Sequence, residues 1–296
     1  MTIIPKLIIH GGCGRYEGEH ARVQDYETKL KTILDSAYSR LVKKDAKSAV
    51  VFAMRLLEDE ELFNAGYGSK LQRDGTARMS ASFMNGNLGR FSAVINVENV
   101  RHPIDIAKML NRQKHTVIAG APAESFARKK SVPVFNPVAP HRLEEHFAQK
   151  SGETGTCGVV ALDSSGLICV ATSTGGIGYE VPGRVGDSPT VAGNYASKHC
   201  GVSCTGIGEH IINLAVAARV VTQVDDGQSL NKAVNGVIRM GNDRKCRFGL
   251  ISIDSSGAIK VGQTRGVNVL AAWHDGTRIE TFLTNSSHSP FNAKVD

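Results

Sequence analysis

A chain of 296 residues, 41% hydrophobic and 21% charged, is long enough for one large core or two small ones and too apolar to be disordered. No apolar run reaches the roughly 18 residues of a membrane span, and the start, MTIIPKLIIHGG, carries too little charge and too short an apolar run for a signal peptide, so a cytoplasmic protein without membrane contact is expected. The net charge of +7 is dispersed, with short pairs such as Lys43–Lys44 and Lys129–Lys130 and no interleaved aromatics, which argues for solvated faces and against nucleic acid.

Lys6 to Ile9 predicts a buried strand entering the turn His10-Gly11-Gly12-Cys13-Gly14. This is no phosphate loop, because Glu17 stands where the third glycine of GxGxxG belongs. Apolar positions at Leu30, Ile33, Leu34, Ala37 and Leu41 predict a helix over 25–41, and Val50, Ala53, Met54 and Leu57 another over 46–61. Phe63 to Ser69 is an irregular glycine loop. Strands over 76–83 and 90–97 flank the hairpin turn Asn85-Gly86-Asn87. Pro103 and Pro122 open helices ending near Leu110 and Lys129. From Ser131 to Gly155 the pattern weakens around a short helix over 141–149, and a linker would sit there.

Strands then resume. Gly158-Val-Val-Ala-Leu-Asp-Ser-Ser-Gly166 is echoed by Gly249-Leu-Ile-Ser-Ile-Asp-Ser-Ser-Gly257, each a strand, an Asp-Ser-Ser-Gly turn and a second strand (167–173 and 258–263). Between them lie a strand over 201–205, a helix over 208–224 and a helix over 229–240. Hairpins and helices in both halves favour an α+β fold, antiparallel sheets stacked face to face and covered by helices, an αββα sandwich.

Six cysteines, at 13, 157, 169, 200, 204 and 246, form no CxxC pair and have no zinc spacing, so reduced buried thiols are expected. The chemistry concentrates in Gly155–Ser188. None of the ten histidines lies there, so a threonine nucleophile has no local histidine base. A threonine that becomes a chain terminus supplies its own base, an α-amine of reference pKa about 7.7–8.0. Gly155 before Thr156 tolerates the strained backbone an intramolecular attack needs.

Six motifs in this order, HGG at 10–12, FNAGYGS at 63–69, GTCGVVALD at 155–163, ATSTGG at 171–176, PGRVGDSP at 182–189 and SCTGIGE at 203–209, resemble the plant-type L-asparaginase/isoaspartyl peptidase family of threonine N-terminal-nucleophile hydrolases. The resemblance covers nearly the whole chain. It implies one four-layer domain over 1–296, self-cleaved into a 1–155 α chain and a 156–296 β chain, and a dimer of such pairs. It implies hydrolysis of asparagine or of N-terminal isoaspartyl peptides. Thr156 would be the nucleophile, with Gly155 before the scissile bond and Thr174 holding the amine. Arg184 and Asp187 would bind the substrate's α-carboxylate and α-ammonium, with Gly208 beside them. Thr205 and Gly206 would form the oxyanion hole, ahead of the helix expected from Gly208, and Asn64 would orient the reacting group. No catalytic cofactor is implied, though carbonyls of the loop ending at Tyr67 can hold a structural sodium ion in this family.

The chain departs from the family pattern at Ser80, at Asn85, at Cys157 in place of valine, in a one-residue shortening near 191–193, and at Gln263-Thr264-Arg265-Gly266-Val267. These put in doubt the rate of self-cleavage and the leaving group. Glycosylasparaginases and non-cleaving binding proteins on the same scaffold are the alternatives.

Overall fold

The computed structural model describes residues 3–14, 20–149 and 155–284; Glu17 and junction residues 150–154 lie outside them. The first half runs β1 (Lys6–Gly14), α1 (His20–Lys43), α2 (Ala46–Asp59), β2 (Met79–Asn85), β3 (Arg90–Val97), α3 (Pro103–Leu110), β4 (Val117–Ala119), α4 (Gly120–Lys129) and α5 (Pro140–Phe147). The second runs β5 (Cys157–Leu162), β6 (Ile168–Thr174), β7 (Asn194–Ala196), β8 (Cys200–Gly206), α6 (Gly208–Leu214), α7 (Val216–Asp225), α8 (Leu230–Asp243), β9 (Phe248–Asp254), β10 (Ile259–Gln263), β11 (Asn268–His274) and β12 (Ile279–Leu283). Among the described residues these strands form an eight-stranded sheet, β12-β11-β1-β5-β6-β2-β3-β4, and a four-stranded sheet, β10-β9-β8-β7. The short pairing of β3 with β4 is parallel and the other ladders are antiparallel.

Local chemistry explains the helix starts. Asp45 caps α2 by accepting a hydrogen bond from the Ser48 amide at 2.6 Å, and Ser229 caps α8 through the Lys232 amide. Pro103 and Pro140 occupy the first turns of α3 and α5, where a missing N–H costs nothing. The buried stripe of α2, Ala46, Ala49, Val50, Ala53, Met54 and Leu57, has helical spacing and packs onto β5 and β6.

Strand parity places the site. On β5 and β6, Cys157, Val159, Ala161, Cys169 and Ala171 join the apolar cluster under α1 to α4. Their neighbours Val160, Leu162, Ile168 and Val170 join a second cluster with Ile251 and Ile253 of β9. Side chains alternate along a strand, so Thr156, Thr172 and Thr174 share the face toward the four-stranded sheet. On β8, Cys200, Val202 and Cys204 belong to a third cluster with α7 and α8, which turns Ser203 and Thr205 toward the eight-stranded sheet. β1 obeys the same rule until a register shift between His10 and Gly12; before it Ile8 lies between the sheets, and after it Cys13 does.

Three expectations change. The turn expected over His10–Gly14 is instead the continuation of β1, shifted in register between His10 and Gly12. The helix expected over 208–224 is two helices, because Ala215 takes a left-handed conformation (φ 48°, ψ 46°). The break lets the first amides of α7 reach the loop before it: the Ala217 and Ala218 N–H groups donate to the carbonyls of Ala192 and Val191. The described part of the expected linker is docked. Arg142 of α5 is buried and donates through Nε to the Gly68 carbonyl at 2.7 Å, and Val138 bridges Gly68. Among the described residues no helix is long and apolar enough to cross a membrane.

Candidate active site

Thr156 precedes β5 and Thr174 ends β6. The ladder that pairs Gly158 with Thr172 and Cys157 with Ser173 sets the two threonines opposite each other. Their hydroxyl oxygens are 3.4 Å apart, a long contact, and Thr174 Oγ1 also accepts the Gly176 amide at 3.1 Å. Gly155, Thr156, Thr174, Arg184, Asp187, Gly206 and Gly208 line one pocket. Seven of the residues singled out from the sequence therefore converge; Thr205 and Asn64 stand just behind the wall. The Thr205 hydroxyl is fully buried and makes no hydrogen bond among the described residues. Seven residues make α6 a short helix, so any stabilisation of negative charge there falls to the Thr205 hydroxyl and the Gly206 amide rather than to a long helix dipole.

Gly155 has φ +139°, in the region only glycine enters freely, and a Cβ there would collide with the side chain of Asn64. Asn64 is fixed in turn: its Nδ2 donates to the Gly176 carbonyl at 2.6 Å and its Oδ1 accepts the Lys70 amide at 2.8 Å. Asn64 therefore couples the Gly155–Thr156 junction to the turn that follows Thr174.

Arg184 does not pair with Asp187. It makes a two-pronged ion pair with Glu209, Nε to Oε1 and Nη2 to Oε2, both at 2.8 Å. Asp187 is 3% exposed, its Oδ2 has no partner, and burial, opposed by Arg184, pushes its carboxyl up to about 7. Gly208 lies between the two, since a Cβ on it would stand 3.0 Å from Arg184 Nη2 and 3.1 Å from Asp187 Oδ1.

Behind Thr156 a buried polar chain crosses between the sheets: His10 Nε2 contacts Ser203 Oγ at 3.1 Å, which contacts Thr172 Oγ1 at 2.7 Å. Burial drives the His10 ring down to about 3, so it is neutral and a weak proton acceptor. Cys157 is buried and burial pushes its thiol far up, which rules it out as a nucleophile. Sequence reasoning missed Glu209 and the pocket-lining Ser188, although both stand inside the quoted motifs.

Among the described residues no cluster of three or more His, Cys, Asp or Glu side chains is placed to hold a metal. Backbone oxygens do converge: a Cβ on Gly68 would collide with the carbonyls of both Phe63 and Glu61. Such a cradle suits a hard cation.

A family model described as Asparaginase matches residues 3–151 and again 136–284. The chain is 42% identical over 297 residues to an isoaspartyl peptidase/L-asparaginase of Nostoc sp., a match covering 93% of each chain. It is 33% identical to a plant-type L-asparaginase of Pyrococcus horikoshii, over 86% of this chain and 91% of the relative. It is 35% identical to an isoaspartyl peptidase of Salmonella typhimurium, over 86% of this chain and 90% of the relative.

Proposed function

The chain belongs to the asparaginase family, and from that premise we propose that it hydrolyses the side-chain amide of L-asparagine and the β-linkage of N-terminal isoaspartyl peptides through Thr156. The carrying observation is the single pocket that holds a threonine hydroxyl, an arginine and an unpartnered buried carboxylate. Those are the groups an α-amino acid with a scissile side-chain amide needs.

Maturation comes first. The Thr156 hydroxyl adds to the Gly155 carbonyl carbon, the C–N bond breaks, and the resulting ester is hydrolysed by water, leaving a 1–155 chain and a 156–296 chain. The freed Thr156 amine then takes the proton of its own hydroxyl. The hydroxyl oxygen attacks the substrate's side-chain carbonyl, and the oxyanion receives hydrogen bonds from the Thr205 hydroxyl and the Gly206 amide. The proton passes to the leaving ammonia or amine, and water releases aspartate from the acyl-enzyme. Arg184 holds the α-carboxylate and Asp187 the α-ammonium, while Thr174 and Asn64 keep the amine and the junction in place. The Glu61 and Phe63 carbonyls, in the loop ending at Tyr67, would hold a structural sodium ion that stiffens the segment carrying Asn64. The three apolar clusters support a four-layer αββα sandwich, helices on both outer faces; the dimer of cleaved pairs rests on the family resemblance alone.

Denaturing electrophoresis tests the reading. Wild-type protein should give two bands near half of 31.7 kDa and release ammonia from asparagine. Thr156→Ala should stay as one inactive chain. A Thr156→Ala protein that still processes would overturn the assignment of Thr156.

A further inference from the structure

Arginine carries five N–H donors on a planar fork. In Arg184 the edge formed by Nε and Nη2 is already occupied, since it closes on both carboxylate oxygens of Glu209 at 2.8 Å. The opposite edge, Nη1 with the second Nη2 hydrogen, lies over pocket glycines: a Cβ on Gly186 would stand 3.3 Å from Nη1 and one on Gly208 3.0 Å from Nη2. The Arg184 side chain is 14% exposed and that of Glu209 54%, so the acid sits on the solvent side, while Arg184 lines the pocket. The Arg184 hydrogen bond, foremost, holds the Glu209 carboxyl below its usual range, so the pair persists at mildly acidic pH.

On the reading that this pocket takes a free α-carboxylate, we propose that Glu209 is a positioning residue: it grips one edge of Arg184 so that the other edge is presented to the substrate carboxylate at a fixed angle. Glu209 touches no reacting atom. Its contribution is geometric, because a guanidinium held at one edge loses less freedom when it binds a carboxylate bidentately at the other. The exposed side of the pair is screened by water, so competition between Glu209 and the substrate carboxylate for the arginine charge is the weaker effect.

The test compares wild type, Glu209→Ala and Glu209→Gln on L-asparagine and on its α-carboxamide, which lacks the carboxylate. Glu209→Ala should raise KM for asparagine roughly 10-fold with kcat within about 2-fold, and leave kcat/KM for the α-carboxamide within about 2-fold. The preference for the free carboxylate then narrows by roughly the same 10-fold. Glu209→Gln, which keeps one acceptor for Nε, should fall between. A merely structural role would lower both substrates by one common factor, and that outcome overturns the proposal. An unchanged or lower KM for asparagine in an active, processed variant does so as well. Wild type inactive on asparagine overturns the reading of the pocket together with this proposal.

Discussion

On the proposed mechanism, Asp187 and Thr156 carry two separate ionisations that the reaction needs in the same direction. A substrate ammonium is held by the ionised carboxyl, yet burial pushes Asp187 up to about 7 in the free site. The Thr156 amine must be uncharged to act as base, and its reference value is about 7.7–8.0. Lowering the pH therefore protonates both, so log kcat/KM, which reports the free enzyme, should fall with a limiting slope of about two below pH 7. In the complex the substrate ammonium keeps Asp187 ionised, so log kcat should fall with a slope of about one. A kcat/KM slope of one would show that Asp187 stays ionised in the free enzyme. The groups behind these profiles were legible because Thr156, Arg184, Asp187 and Thr205 stand in contiguous motifs. Glu209 as the partner of Arg184 was not, because it meets the guanidinium only after β7 and β8 have returned the chain to the pocket.

At the scale of elements, local signals sufficed where local chemistry makes the structure. The two Asp-Ser-Ser-Gly hairpins close in the same way: Asp163 Oδ1 accepts from the Ser165 amide and hydroxyl and the Leu167 amide, and Asp254 Oδ1 accepts from the corresponding groups of Ser256 and Ala258. Proline starts and apolar stripes located α3 and α2 for similar reasons. The three-residue strands β4 and β7 carry no pattern long enough to show; their partners β3 and β8 make them strands. β11 and β12 went unassigned because NVLAAWH is a short apolar run whose period favours neither helix nor strand. The break at Ala215 was invisible because alanine is the best helix former; the contacts of α7 with Val191 and Ala192 impose it. A non-glycine residue in that conformation costs about 1–2 kcal/mol, against a smaller entropic penalty for glycine. Ala215→Gly should therefore stabilise the protein by a few tenths to about 1 kcal/mol, read as a higher urea midpoint with the same slope. A lower midpoint would mean that the Ala215 methyl contributes more packing than the strain it carries.

On the scale of the whole molecule, the order of the large sheet decides what a cut at Gly155–Thr156 can do. β1 of the first half lies between β5 and β11 of the second, and β6 of the second pairs β2 of the first. Neither half owns the eight-stranded sheet, and the cluster under α1 to α4 draws residues from both. Each half alone would expose long unpaired strand edges and aggregate, while the cut product stays one body held by ladders on both sides of β1. Expressed separately, 1–155 and 156–296 should be insoluble; expressed together they should copurify as one particle. This arrangement isolates the base without depending on self-cleavage. When Thr156 is the true first residue of its chain, its nitrogen is an amine and the assembled pair should hydrolyse asparagine. With one extra residue left before Thr156, the same nitrogen becomes an amide with no basic lone pair. Assembly should be unchanged, because the ladders begin at Cys157, while kcat falls by about three orders of magnitude or more, as when one member of a nucleophile–base unit is lost. A pair with the extra residue that assembles and turns over asparagine at the normal rate would place the base elsewhere, and the first candidate would be Asp187, the pocket carboxyl that burial pushes up to about 7.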